Sequence, residues 1–559
     1  MRASTAAMGC LLGVIALATP GCGGGSSNSP TMMPPSPPAP PPSPPPPPLD
    51  PIYLASAASP FTANCDGVAP VGTLYPNAEV EPSLAINPTD TRNFVASWQE
   101  DRWSSGGSRG IIVGASHDGG TTWTQRALPL TRCGGGTPAN GGDYERASNA
   151  WVSVSPTGTV YLASLAFNGN VLQAGSVSAV LASRSSDGGT TWSATATLIH
   201  DVDTAFNDKV AITADPVTPH FVYAVWDRLS TANIGPSYFA RSTDDGATWE
   251  TAKPIYDPGV NNQTISNVLV VLPNGTLVNF FVEIIGGANN GFTSSLAVVR
   301  SSDNGVTWSS RVKIADNLAV GTRDPDTGQP VRDSSLVPEI AVGMGGSLFV
   351  VWQDSRFSNG ARDSIALARS SDGGTTWSAP ARVNSNVGVA AFSPMVHVRA
   401  DGMIGVTYYD FRANTADTST LLTDYWLARS TDATTWQESQ VAGPFDLAIA
   451  PVSATAGAAG YFLGDYQALL SVGTTFMPMF VQTNAGNLNN RTDVFVAPAV
   501  SVATAAMAAV EQKSPAAIAD NAMQVFRASP QWQRRVQENV QRHLQWHAPG
   551  SRGAAQRNE

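Results

Sequence analysis

The sequence predicts an all-β fold: a seven-bladed β-propeller whose last blade is closed by an N-terminal strand, followed by a short C-terminal helical tail. Three observations predict it. An eight-residue turn motif recurs at blade-length spacing. A hairpin of apolar strands precedes each copy. Gly, Pro and Asn punctuate the strands where tight turns are needed. Six blades, with the last hairpin as an appendage, is the alternative count.

Residues 1–22 read as an export signal. Arg2 is followed by the apolar stretch Met8 to Ala18, which is too short to span a bilayer. Thr19-Pro20-Gly21-Cys22 then resembles a bacterial lipobox, with Cys22 as the lipidation site; cleavage near Ala18 and free secretion is the alternative. Residues 23–50 form a linker, first Gly/Ser-rich and then holding 12 Pro in positions 34–48. Such a run is a polyproline II spacer of about 45 Å at 3.1 Å per residue. A tether followed by a spacer suits a domain held at a cell surface.

The propeller is assigned to residues 51–500. Ile52-Tyr53-Leu54-Ala55 opens it as a strand with no partner of its own. Cys65 and Cys133 remain once Cys10 and Cys22 are set aside, and an even pair in an exported chain predicts a disulfide. Ser116 to Trp123 then sets the motif Ser-x-Asp-x-Gly-x-Thr-Trp, repeated from Ser185, Ser242, Ser301 and Ser370. A sixth copy, Ser430 to Trp436, is one residue short and lacks the Gly. The Asp side chains of the six copies, Asp118, Asp187, Asp244, Asp303, Asp372 and Asp432, are 57 to 69 residues apart. Folding explains each part: Asp and Ser satisfy turn N–H groups, Gly permits positive φ, and Trp plugs the seam. Hairpins such as Pro82 to Trp98 and Ile340 to Trp352 precede the boxes. A seventh hairpin, Tyr461 to Val481, and the strand Asp493 to Val496 have no box, so the strand at Ile52 supplies the missing fourth member. Residues 501–559 change character. The Ala-rich stretch 502–512 reads as helical, and Trp532, Val536, Val540 and Leu544 form a four-residue stripe.

Charge excludes one class of partner. Residues 23–500 carry 24 basic and 39 acidic side chains, a net of −15, which repels phosphate backbones, so no nucleic-acid binding is expected. The six His residues are scattered without metal spacing, and no metal or cofactor is expected. Asp324-Pro325-Asp326-Thr327-Gly328 reads as an ordinary turn ahead of a Ca²⁺ loop. Gly106-Gly107-Ser108-Arg109-Gly110 sits between strands, which excludes a nucleophile elbow.

The repeated box resembles that of the sialidase-like Asp-box (BNR-repeat) propellers. The resemblance implies an exoglycosidase of the exo-α-sialidase type acting on extracellular glycans. It also implies an Arg triad, an Asp acid/base and a Tyr nucleophile paired with Glu. The first strand here reads Val80-Glu81-Pro82-Ser83, without the family's Arg-Ile-Pro; Tyr409 and Tyr466 are the candidate tyrosines.

A second pattern marks where chemistry belongs. The second strands end in Trp98 to Arg102, Trp226-Asp227-Arg228, Trp352 to Arg356 and Tyr408 to Arg412. Each is an aromatic followed by Asp and Arg. First-strand entries add Glu81, Asp208, Glu339, Asp465 and Tyr466. Strand alternation predicts that Asp101, Arg102, Asp227, Arg228, Asp354, Arg356, Asp410, Arg412, Asp465 and Tyr466 line one end, opposite the boxes. Arg, Asp and aromatic groups suit a glycan or small anion; inter-blade salt bridges are the structural alternative. The resulting expectation is a monomeric, exported glycosidase or, alternatively, a non-catalytic glycan- or protein-binding propeller, touching a membrane through a lipid alone.

Overall fold

The computed structural model describes residues 49–69, 72–232, 234–287, 291–455, 458–497 and 529–547. The signal, Cys22 and the polyproline run lie outside them, as does the Ala-rich stretch 502–512.

The chain is all-β with antiparallel sheets built from successive four-stranded units. The first unit comprises Val80–Ile86, Phe94–Trp103, Ser108–Ser116 and Thr124–Ala127; the second, Arg146–Val154, Val160–Asn168, Val177–Ser185 and Ala196–Val202. A pairing of Ser108 with Ala147 joins these two into one larger sheet. The next four units begin at Ala205–Ala214, Gln263–Val271, Glu339–Val342 and Ala391–Val398, each a separate four-stranded sheet. The seventh holds Ala468–Val472, Thr475–Thr483 and Thr492–Val496, and its fourth strand is Tyr53–Leu54, paired antiparallel with Val496 and Phe495. Each first strand packs on the first strand of the next unit, and Ala468–Val472 packs back on Val80–Ile86.

The sequence forms these elements for local reasons. The middle strands are buried on both faces and read as near-continuous apolar runs, such as Val160–Asn168 and Leu348–Asp354. Fourth strands such as Thr124–Ala127 are half exposed and polar. Trp98, Trp226 and Trp352 are fully buried between units.

The box turns match their chemistry. In the first, Ser116 Oγ accepts the Gly120 N–H at 2.9 Å, Asp118 Oδ1 accepts the Thr122 N–H at 2.9 Å, and Thr122 Oγ1 donates to Asp118 Oδ2 at 2.6 Å. Gly120 has φ +91°, and the Trp123 indole donates to its carbonyl at 3.0 Å. These bonds lower the Asp118 pKa to about 2. In the short sixth copy Ala433 takes the left-handed place, at φ +61°.

Cys65 and Cys133 form a disulfide. The C-terminal stripe is a docked helix, Pro530–His547. Val540 and Leu544 pack with Ile265, Val282, Ile284 and Leu336, and the Trp532 indole donates to Ser355 Oγ at 2.7 Å.

Candidate functional site

One irregularity repeats where the first strands meet. In five units two residues of the first strand oppose one on the second, and the leading residue of each bulge is left-handed: Glu81, Asn149, Lys209, Ser266 and Ser393, at φ +49 to +60°. None is Gly. Left-handed residues with side chains cost energy and recur at sites that need a side chain re-aimed. Gly464, at φ +134°, precedes the equivalent place in the seventh unit.

Glu81, Asn149 and Lys209, with their neighbours, build a buried ion network. Arg332 grips Asp465 bidentately, Nε to Oδ1 at 3.0 Å and Nη2 to Oδ2 at 2.5 Å. Lys209 donates to the same carboxylate, lies 3.7 Å from Glu81 and donates to Asn149 Oδ1 at 3.3 Å. Glu81 accepts from Gln99, whose Oε1 accepts from Arg102 Nη1 at 2.6 Å. Asn149 donates to Asp208, which faces Asp227 across the sheet. The Arg102 and Arg332 guanidinium groups both lie over Phe462, at 4.6 and 4.5 Å. Four carboxylates surround the Tyr466 phenol, whose hydroxyl donates to the Ala150 carbonyl at 3.2 Å.

Electrostatics divide the acids of the network. Burial lowers the Lys209 and Arg332 pKa values, but Asp465, Glu81 and Asp208 together outweigh it and both stay above their usual range. Burial and Arg332 bring Arg102 down to about 9. Burial raises Glu81 against the pull of Lys209, and burial with Asp208 pushes Asp227 well up. Glu339, on the first strand of the fifth unit, forms no ion pair among the described residues. Burial alone raises it to about 8, and its Oε1 has no hydrogen-bond partner. Burial and then Glu81, Asp465, Glu339 and Asp208 raise Tyr466.

The structure brings Arg102, Asp465 and Tyr466 into this network, with Asp227 at its edge. Asp101, at φ +61°, turns away: it accepts the Asn77 N–H at 2.8 Å and pairs with Arg109 at 3.3 Å. Arg228 pairs with Asp201 at 2.6 Å, on the last strand of the preceding unit. Arg356 closes on Asp354 at 2.7 Å. Arg412 closes on Asp410 at 2.7 Å and Glu438 at 3.1 Å, over the Trp426 ring. Tyr409 is a core residue bonded to the Val481 backbone. Asp324 caps its own turn through the Asp326 N–H at 2.9 Å. Lys209, Arg332 and Asn149 are absent from the sequence-derived set. Lys209 is one of only four lysines in the chain, the one signal that could have found it.

The segment 332–336 links the network to the helix. Arg332 and Ser334 bond Asp465, while Asp333 and Ser335 meet His543 at 3.0 and 3.2 Å. Burial raises the Asp333 pKa, but His543, with bonds from Thr322 and Gln353, outweighs it and holds Asp333 well below the carboxylate range. Although Ser335, His543 and Asp333 are adjacent, all three are wholly inaccessible, and both acid and serine lie on the same His nitrogen; this is a helix anchor.

No family profile matches the chain. A curated xyloglucanase of a Paenibacillus species is 30% identical over 184 residues, which are 31% of this chain and 16% of that protein. The match thus spans about a sixth of the relative's length. Among solved structures, a Hadza microbial sialidase aligns at 15% identity over 73% of each chain, with TM-score 0.41. The Penicillium chrysogenum α-L-arabinanase complexed with arabinobiose aligns at 13% identity over 80% of this chain and 98% of its own, with TM-score 0.41.

Proposed function

We propose that the seven units close into a seven-bladed propeller, exported and tethered through Cys22, that hydrolyses extracellular glycans at the junction of its first strands. One observation carries the reading: a buried carboxyl near Tyr466, Glu339, whose Oε1 has no hydrogen-bond partner and which burial raises above the carboxylate range. A carboxyl raised to about 8 keeps its proton at neutral pH and serves as a general acid toward a glycosidic oxygen. Trp151, whose ring contacts Tyr466 at 5.2 Å, offers an apolar face to a sugar. The box resemblance supports a glycan substrate, and the partial likeness to a xyloglucanase adds plant-type β-glucans to sialosides as substrates to try.

A second reading, a non-catalytic glycan binder, is favoured by Arg228, Arg356 and Arg412, each already satisfied by an acid of its own or the neighbouring unit. A screen of the purified mature chain against fluorogenic sialosides, other exo-glycosides and xyloglucan oligosaccharides separates the two. Turnover abolished by Glu339→Gln supports the enzyme. Binding without turnover of any of them supports the second reading.

A further inference from the structure

The first and seventh units meet along a seam. Ala78 forms a parallel bridge with Thr492, and the Glu79 N–H donates to the Thr492 carbonyl at 3.3 Å. Two acids lie inside this seam, Glu79 ahead of Val80–Ile86 and Glu100 on Phe94–Trp103, both at 0% exposure. Both Glu79 carboxylate oxygens and Glu100 Oε1 are buried without a hydrogen-bond partner; Glu100 Oε2 accepts the Trp98 indole N–H at 3.4 Å. The charged groups facing them are also acids. Asp493 comes from Thr492–Val496 and is held by Ser56 Oγ at 3.0 Å and Asn484 at 2.7 Å; Asp101 is the neighbour on the same strand, paired with Arg109. Among the described residues, no Lys, Arg or His forms an ion pair with Glu79 or Glu100, and no group of three His, Cys or acidic side chains is placed to hold a metal ion.

Two carboxyls buried against each other without a cation cannot both ionise, because the charged pair would lack both water and a counter-ion. One proton between them supplies a hydrogen bond to the other oxygen. We propose that a proton shared by Glu79 and Glu100 locks the seam between the first and seventh units, and that its loss at alkaline pH opens that seam. The direction follows from linkage. Burial raises both well above the ordinary 4.5, helped by the charge of Glu100 at Glu79 and of Asp101 at Glu100, with Asp493 adding to each. The stabilisation is therefore complete below that ordinary value and is lost as pH rises through the raised one. The lock is independent of the glycan site and is tested without an activity.

Amide exchange of residues 53–56 and 492–496, measured on the full chain from pH 5 to 10 and corrected for intrinsic rates, reads the seam directly. In the wild type, opening should grow by about tenfold per pH unit once the proton is being lost. Glu79→Gln and Glu100→Gln each place a permanent N–H donor against the remaining carboxyl and should flatten that rise; the second variant decides where the first does not fold. An equal slope in wild type and in the folded variant overturns the proposal. So does a rise in seam opening on adding EDTA at pH 6, which would mean that a metal, not a proton, neutralises the pair.

Discussion

The arginine before the second to fifth box serines should latch one unit to the next, and Arg184→Met tests this. Arg184 Nη1 donates to the Asp245 carbonyl, in the following box turn, at 2.7 Å. Arg241 does the same to Asn304 at 2.6 Å and Arg369 to Asp432 at 3.1 Å; Arg300 reaches Thr375 Oγ1 at 2.7 Å. The two ends of the series differ in an informative way. The first unit has Ala115 there, and Asn93 makes the equivalent bond to Gly188 at 3.0 Å. After the sixth unit no box follows, and Arg429 turns to Ser439 of its own sheet at 2.9 Å. A buried hydrogen bond from a charged donor contributes about 1.5–3 kcal/mol. These contacts are partly exposed, so each latch should contribute about 1 kcal/mol, and Met keeps the packing of the stem. The sites lie in separate units, so Arg184→Met and Arg369→Met should add to about 2 kcal/mol. Urea unfolding gives the total, and amide exchange at 243–248 locates it: exchange should accelerate in the turn of the next unit. Acceleration confined to the turn at 185–192, or an unchanged urea midpoint, would refute the latch.

Three further outcomes are expected. Glu339→Gln should be more stable than wild type above pH 8 and equal to it below pH 4.5, since a carboxyl raised to about 8 loses stability as pH rises through that value; unfolding midpoints against pH check it. Trp532→Ala should lower stability by about 3 kcal/mol and expose residues 529–547 to protease, because the indole fills the space at Gly360 and bonds Ser355. Reducing Cys65–Cys133, which closes a loop with a sequence separation of 68, should cost about 3–5 kcal/mol on the loop-entropy account, read from denaturation with and without reductant.

The parts of the fold legible in the sequence are those set by local chemistry. The box carries its own turn bonds, so five intact copies located five turns and, by alternation, the strands around them. The strand at Tyr53 was legible by subtraction, since Thr492–Val496 needed a partner and no later strand offered one. The helix was legible as a stripe, but its seat was not. Its contacts with Ile265, Leu336 and Ser355 join residues 177 to 279 positions apart, and no periodicity encodes such pairings.

The candidate site was half legible for a related reason. The Asp–Arg pairs on the second strands stood out because they repeat, and repetition is what a structural bridge produces: Arg356 and Arg412 each close on an acid two residues back. The bulge residues occupy one position in five of the units yet differ in kind, namely Glu81, Asn149, Lys209, Ser266 and Ser393. A motif search rewards identity and passes over them. Their common feature is a left-handed backbone, which Glu, Lys and Ser adopt only under constraint from the surrounding sheet. A symmetric fold that places an acid, an amide, a cation and two hydroxyls at equivalent points breaks its own symmetry there. Unlike groups at equivalent points are what mark that junction as the candidate site, while the identical boxes hold their own turns.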